Sequence, residues 1–240
     1  FRPYLLFFRR SLFYFRLWVV QNNLRKDNSK VDVLCLIPEL VVGGSEKVVG
    51  DIVNGLKGKG YRFHFLGSRG ENNAWCRSLI RSFNSSFLLS ENLKDPDSIN
   101  FEEYYFFAAK IIRFLGIKVI LISNSAQGYK AIERFKSDFP LVKIVDILHV
   151  EKFGGTTDEA IPYVPWLDRR ICISHYLQDH VQKKYLRAGL NGEYFNRMNV
   201  IYNGNDMDDF DLAKVERGAF RVQYGIKPET RIISYIGRVS

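Results

Sequence analysis

The run Val31-Asp-Val-Leu-Cys-Leu-Ile-Pro38, with Gly43-Gly44-Ser45-Glu46 just behind it, restricts the possible folds more than any other part of the chain. A nearly continuous apolar stretch suits a strand buried on both faces, as the central strands of parallel sheets are. Beyond the glycines, Val48, Val49, Ile52, Val53 and Leu56 recur at helical spacing, which predicts a helix over 45–59 that Gly58 and Gly60 bring to an end. A strand entering a glycine turn and then a helix presents unsatisfied backbone N–H groups and the positive end of a helix dipole to an anion. The predicted ligand class is a nucleotide or sugar phosphate, with Gly43 and Gly44 permitting positive φ and close backbone approach. Glu46 falls in the first helical turn, where its carboxylate suits the dipole whether or not a ligand binds. Neither the Gly-x-Gly-x-x-Gly dinucleotide fingerprint nor the Gly-Lys-Ser/Thr of a P-loop is present.

The same alternation continues. Apolar runs predict strands at 61–66, 86–89, 117–122, 142–148, 170–173 and 198–202, and helical periodicity predicts helices at 72–83, 101–115, 125–136 and 174–188, with a loop at 153–165. This succession specifies an α/β fold: a Rossmann-like open parallel sheet flanked by helices. Past Tyr202 the character changes. Asn203-Gly204 makes a turn, Asp206, Asp208, Asp209 and Asp211 form an acidic patch, a helix is predicted over 212–224, and a β-branched strand over 231–236. The expected organisation is a basic aromatic helical segment at 1–26, a Rossmann-like domain at 27–204, and the beginning of a second, truncated domain at 205–240.

With 240 residues, 46% of them hydrophobic, the chain can bury a large core, and its net charge of +9 favours an anionic partner. Cys35, Cys76 and Cys172 are an odd, scattered set, expected to be buried thiols in a reducing compartment. No cluster of His, Cys and carboxylates suggests a metal site. Residues 1–26 interleave Phe7, Phe8, Phe13, Tyr14, Phe15, Leu17 and Trp18 with Arg2, Arg9, Arg10, Arg16, Arg25 and Lys26. These charges interrupt the apolar run too often for the pattern expected of a membrane-spanning helix or a signal peptide. The segment is expected either to pack on the neighbouring domain or to lie on an anionic membrane surface. The aromatics fall mainly in core-like elements, so nucleic acid is not an expected partner.

His149 follows the strand Ile144-Val-Asp-Ile-Leu148, and Glu151 lies two residues on. Open α/β sheets bind ligands at the carboxyl ends of their strands, where a histidine can hydrogen-bond a sugar hydroxyl or exchange a proton near neutral pH. A lone histidine there is also commonly structural. His64 and His180 read as structural, and His175 beside Ser174 as a local cap partner, since no Gly-x-Ser-x-Gly elbow is present. Arg238, after Gly237, has the fork geometry to clamp a phosphate.

In this order the pieces resemble the amino-terminal half of a GT-B glycosyltransferase of the family 4 type. The resemblance is carried by Gly43-Gly44-Ser45-Glu46, the His149 strand end, Arg170-Ile-Cys-Ile-Ser174, Val200-Ile-Tyr-Asn-Gly204 with Asp206 and Phe210, and Ile232-Ile-Ser-Tyr-Ile-Gly-Arg238. It implies a retaining enzyme that moves a sugar from a nucleotide-diphosphate donor to a glycan or lipid-linked acceptor, with no resident cofactor or metal. It also implies a cytoplasmic location, peripheral to the inner face of a membrane. By this resemblance His149 contacts the transferred sugar, and Gly43, Gly44 and Arg238 meet the donor diphosphate. Ser45, Glu46, Glu151, Asn203 and Gly204 support the site or the acceptor side, with Asn203-Gly204 at the domain crossing. The family's Gly-Arg motif continues into a Glu-Lys-Gly-like segment, whereas here Gly237-Arg-Val-Ser240 ends the sequence. The natural protein is therefore expected to extend beyond both ends, and this fragment alone to be weakly active or inactive. The alternative is a non-catalytic interaction or membrane-docking domain with the same fold.

Overall fold

The computed structural model describes residues 13–20, 22, 29–67, 69–70, 74–89, 100–150, 156–205, 207, 211–214 and 216–235. Arg238 and Glu151 lie outside them, as do most of segment 1–26, Asp206, Asp208, Asp209 and Phe210. The chain divides into two compact units, Phe1–Asn203 and Gly204–Ser240.

In the first unit, helix α1 (residues 13–20) precedes β1 (Val31–Leu36), β2 (Glu39–Leu40), α2 (Gly44–Leu56), β3 (Tyr61–Gly67), β4 (Arg69–Gly70), α3 (Ala74–Ser82) and β5 (Ser85–Leu88). There follow α4 (Phe101–Leu115), β6 (Val119–Ser123), α5 (Ala126–Asp138), β7 (Lys143–Leu148), α6 (Thr156–Glu159), a 3-10 helix (Ile161–Trp166), β8 (Arg169–Cys172), α7 (His175–Arg187), α8 (Gly192–Phe195) and β9 (Met198–Val200). Seven strands form one parallel sheet in the order β5-β3-β1-β6-β7-β8-β9. This is the open Rossmann-like sheet the alternation predicts. A separate parallel pair, β2 with β4, was not legible in the sequence.

Because successive strand side chains alternate between faces, β1 supplies two cores at once. Leu34 and Leu36 pack with α4 and α5 on one face, and Val33 and Cys35 with α2 and α3 on the other. Phe13 and Leu17 bring α1 into the first core, the Phe13 ring lying 4.5 Å from that of Phe107. The described part of the aromatic segment therefore packs on the domain. All three cysteines are buried, and none forms a disulfide among the described residues. Burial raises the thiol pKa of Cys35 and pushes that of Cys172 up to about 12.

Helix ends follow local chemistry. Asn100, Ser125 and Ser174 cap α4, α5 and α7 by accepting backbone N–H bonds, and Gly116 ends α4 in the left-handed region at φ 67°. Ser174 thus performs the capping at α7, where His175 was expected to take part.

Two buried polar groups tie the strands together. His64, fully enclosed, bridges Ser85 Oγ at 2.7 Å and Asp32 Oδ1 at 2.9 Å, joining β5, β3 and β1. Burial opposes the charge on Asp32, but His64 and Arg62 outweigh it and hold its pKa below the ordinary value. Between β7 and β8, Arg170 grips Asp146 at 2.6 Å while donating to Tyr185 Oη at 2.7 Å, and Tyr129 Oη donates to Asp146 at 3.1 Å.

Three expectations are corrected. The predicted 153–165 loop holds α6 and most of a 3-10 helix, whose Pro162 and Pro165 suit short irregular turns better than an α-helix. In the second unit, the helix expected over 212–224 is divided into a 3-10 turn (Leu212–Lys214) and α9 (Ala219–Gln223), because Gly218 turns left-handed at φ 89° between them. Residues 231–235 form no strand, and Ile233 is 99% exposed.

Candidate functional site

At the carboxyl edge of the sheet, β1 leads to β3 on one side while β6 leads to β7 on the other, so the crevice between β1 and β6 is a topological switch point. The Gly43-Gly44 turn follows β1, and His149 follows β7, whose strand end lies two strand spacings, about 10 Å, from that of β1.

The turn works differently from the sequence expectation. Gly43 is extended, with φ −156° and ψ 162°, and its carbonyl accepts from Lys47 N at 3.1 Å. Neither glycine at this turn has positive φ. A Cβ at position 43 would sit 2.3 Å from Glu46 Oε2, so a side chain there requires the Glu46 carboxylate to move. Glu46, the third residue of α2, folds its buried carboxylate back over Gly43, and Ser45 Oγ donates to it at 3.0 Å. An anion already occupies this side of the helix start. Gly44 faces open space.

His149 is half-buried, and its Nε2 lies 2.9 Å from Ser123 Oγ at the end of β6. Ser123 itself is enclosed, and the next residue, Asn124, holds the uncommon φ of 52° before Ser125 caps α5. Burial lowers the His149 pKa to about 4. This corrects the expectation of proton exchange near neutral pH: the ring is neutral there, with one nitrogen engaged by Ser123 and the other available as a directed hydrogen-bonding group. Sequence reading missed Ser123. The signal available was its place at the end of a strand adjacent to the one that carries His149.

The lowered pKa has a thermodynamic consequence. An unfolded chain protonates this histidine near its ordinary 6.5, whereas the folded chain resists until about 4. The stability the neutral ring contributes is therefore complete above pH 6.5 and is lost as pH falls towards 4. Denaturant unfolding of His149→Gln is expected to lack this part of the acid slope, and the His149 ring protons are expected to titrate with a midpoint near 4 in NMR spectra.

Asn203 and Gly204 are exposed and stand on either side of the division between the two units. Arg238 and Glu151 lie outside the described residues. Cavities among the described residues include one of 370 Å³ on the outer face of α4 and α5 and one of 380 Å³ beside Asp168 and Arg197 at the opposite edge of the sheet. Among the described residues no helix is long and apolar enough to cross a membrane, and no group of His, Cys and carboxylates could hold a metal ion.

Solved structures share this architecture. A glycosyltransferase from Rickettsia africae superposes with a TM-score of 0.60 at 16% identity, covering 83% of this chain and 51% of its own. The fold is GT-B-like. HepE from Anabaena, solved with UDP and glucose, gives 0.54 at 19% identity over 81% of this chain and 50% of its own. The lipopolysaccharide outer core galactosyltransferase WaaB gives 0.52 at 10% identity, over 74% and 47%. The GT-B-like chain thus spans about half the length of these structures, and at such identities the likeness concerns the fold. No family model and no curated protein matches the sequence.

Proposed function

We propose that this chain forms the acceptor-side half of a retaining glycosyltransferase of the family 4 type. The observation that carries this reading is the neutral His149, held by Ser123 beside the switch point of a GT-B-like sheet. In this reading the free imidazole nitrogen hydrogen-bonds a hydroxyl of the transferred sugar, and Ser123 fixes the ring that does so. Gly44 and Ser45 offer backbone N–H groups to the donor diphosphate, Gly43 and Glu46 set the shape of that turn, and Arg238 neutralises charge on the departing nucleoside diphosphate. Glu151, Asn203 and Gly204 border the acceptor side and the domain crossing. Fixed dipoles and charges of this kind favour a transition state because they need no reorganisation as charge develops. The donor is a nucleotide-diphosphate sugar, the acceptor a glycan or lipid-linked saccharide, and the location cytoplasmic.

The test uses the full natural protein with UDP-, GDP- and ADP-sugars and saccharide acceptors. The expected result is acceptor-dependent release of nucleoside diphosphate and a product with the donor's anomeric configuration, read by NMR. An inverted product would overturn the retaining assignment, and no release from any donor would favour the non-catalytic domain.

Gly44 separates a structural role from a functional one. Its surroundings are empty and it opens a helix, so Gly44→Ala is expected to leave stability unchanged or raise it by about 0.5–1 kcal/mol. Nucleotide-sugar affinity is nevertheless expected to fall, because the added methyl stands where the diphosphate approaches. Calorimetric titration finding unaltered affinity would remove Gly44 from the donor site.

A further inference from the structure

We propose that the 380 Å³ cavity at the amino edge of the sheet binds a phosphomonoester carried on a sugar or nucleoside ring, with Lys136, Arg169 and Arg197 around the phosphate and Trp166 beside the ring. The proposal does not rest on sugar transfer, because Gly44 and His149 lie at the other edge. Arg169 pairs with Val145, four residues before His149, which is about 13 Å of strand.

Three parts of the first unit build this cavity. The last turn of α5 brings Lys136, the link from the 3-10 helix to β8 brings Pro165, Trp166, Asp168 and Arg169, and the turn between α8 and β9 brings Arg197. Arg197 donates to the carbonyls of Pro165 and Leu167 at 3.2 and 3.1 Å, satisfying the end of the 3-10 helix, and to Glu193 Oε1 at 2.6 Å. Lys136 donates to Val142 O at 3.0 Å and to Asp168. These partners hold both cations in place and leave N–H groups over, since a guanidinium carries five and an ammonium three. Arg169 differs. It is exposed, its side chain donates to the Asp168 carbonyl at 3.0 Å, and among the described residues no carboxylate pairs with it.

Asp168 does not cancel this charge. Burial opposes its ionisation, but Lys136 and the Ile144 N–H outweigh it and hold its pKa below the ordinary value. Its two oxygens are already engaged by Lys136, Ile144 N and Lys143. With Lys143 included, four cations meet only two carboxylates here, Asp168 and Glu193. A phosphomonoester carries about 1.5–2 negative charges at neutral pH, which matches that excess. Guanidinium forks beside an ammonium also suit its several oxygens. Inorganic phosphate would leave most of the volume empty, whereas 380 Å³ falls within the range of about 300–1,000 Å³ typical of small-molecule sites. Trp166 and Pro165 supply the apolar wall for the ring.

The experiment is an NMR titration of the whole chain with glucose 1-phosphate, uridine monophosphate and inorganic phosphate, following the Trp166 indole N–H and the Nε–H groups of Arg169 and Arg197. Saturable shifts are expected at these groups with the esters, and weaker binding of inorganic phosphate. Whichever ester binds more tightly names the ring, sugar or nucleoside. Arg169→Gln removes charge-assisted hydrogen bonds from an exposed position, so it is expected to weaken binding at least about tenfold while leaving the unfolding midpoint unchanged. Trp166→Leu is expected to bring the esters down to the affinity of inorganic phosphate. Trp166 also packs against the core, so Arg169→Gln decides the matter if that variant does not fold. Shifts confined to Gly44 and His149, unchanged affinity in Arg169→Gln, equal affinity for inorganic phosphate and the esters, or no saturation at millimolar ligand would each overturn the proposal.

Discussion

Arg170→Met is expected to destabilise the first unit by about 3–5 kcal/mol, the usual effect of removing one member of a buried ion pair. Against typical domain stabilities of about 5–15 kcal/mol, such a loss brings the protein close to unfolding. Arg170 and Asp146 are both fully enclosed, and their contact links β8 to β7. Burial alone would depress the guanidinium pKa, but Asp146 outweighs it and holds the pKa above the ordinary value. Take away the guanidinium and the Asp146 carboxylate stays buried with Tyr129 Oη as its side-chain donor. Urea unfolding measures the loss. Adding Asp146→Val should recover a large part of it, because an apolar pair of similar volume does not strand a charge. If the single substitution shifted the midpoint no more than a surface change does, the network would not be what joins these strands.

His149→Ala in the full natural protein is expected to reduce turnover about 10²–10³-fold, the scale for losing one preorganised hydrogen-bonding group at a reacting centre. Folding should change little at neutral pH, where the ring is neutral and half-buried. Ser123→Ala serves as the companion variant. It leaves the imidazole in place and removes the contact to Nε2, so it should lower turnover less than His149→Ala and alter KM little. Equal turnover in wild type and His149→Ala would take His149 out of the active site.

How much of this was legible in the sequence depended on how far each feature relies on distant residues. Continuous apolar runs gave β1, β6 and β7, and helical spacing gave α2 and α4, since burial on two faces or on one leaves a local trace. The pair β2 and β4 left none, because each is two residues long and is held only by the other. Gly218 was visible as a glycine, yet nothing beside it announced the left-handed turn that divides the predicted helix. The strand expected at 231–236 had the right composition for a strand, but a strand also needs a neighbour.

At the candidate site, sequence alone placed His149 and the glycines at strand ends but did not show the ring's lowered pKa or the extended backbone of Gly43. Burial by surrounding residues set the His149 pKa, and the fold-back of Glu46 narrows the space at position 43. Arg170 looked like an ordinary strand residue because its partner Asp146 is 24 positions away. Ser123 acquires its importance only through the neighbouring strand.

The most direct test of the central claim is an NMR titration of this chain with nucleoside diphosphates and nucleotide sugars, following assigned backbone amides and the His149 ring. A nucleotide-sugar site at the switch point predicts saturable shifts at Gly44, Ser45 and His149, with the His149 response present for the sugar-bearing ligand and weak for the bare diphosphate. Saturable shifts confined to other parts of the chain, or none at millimolar ligand, would contradict it.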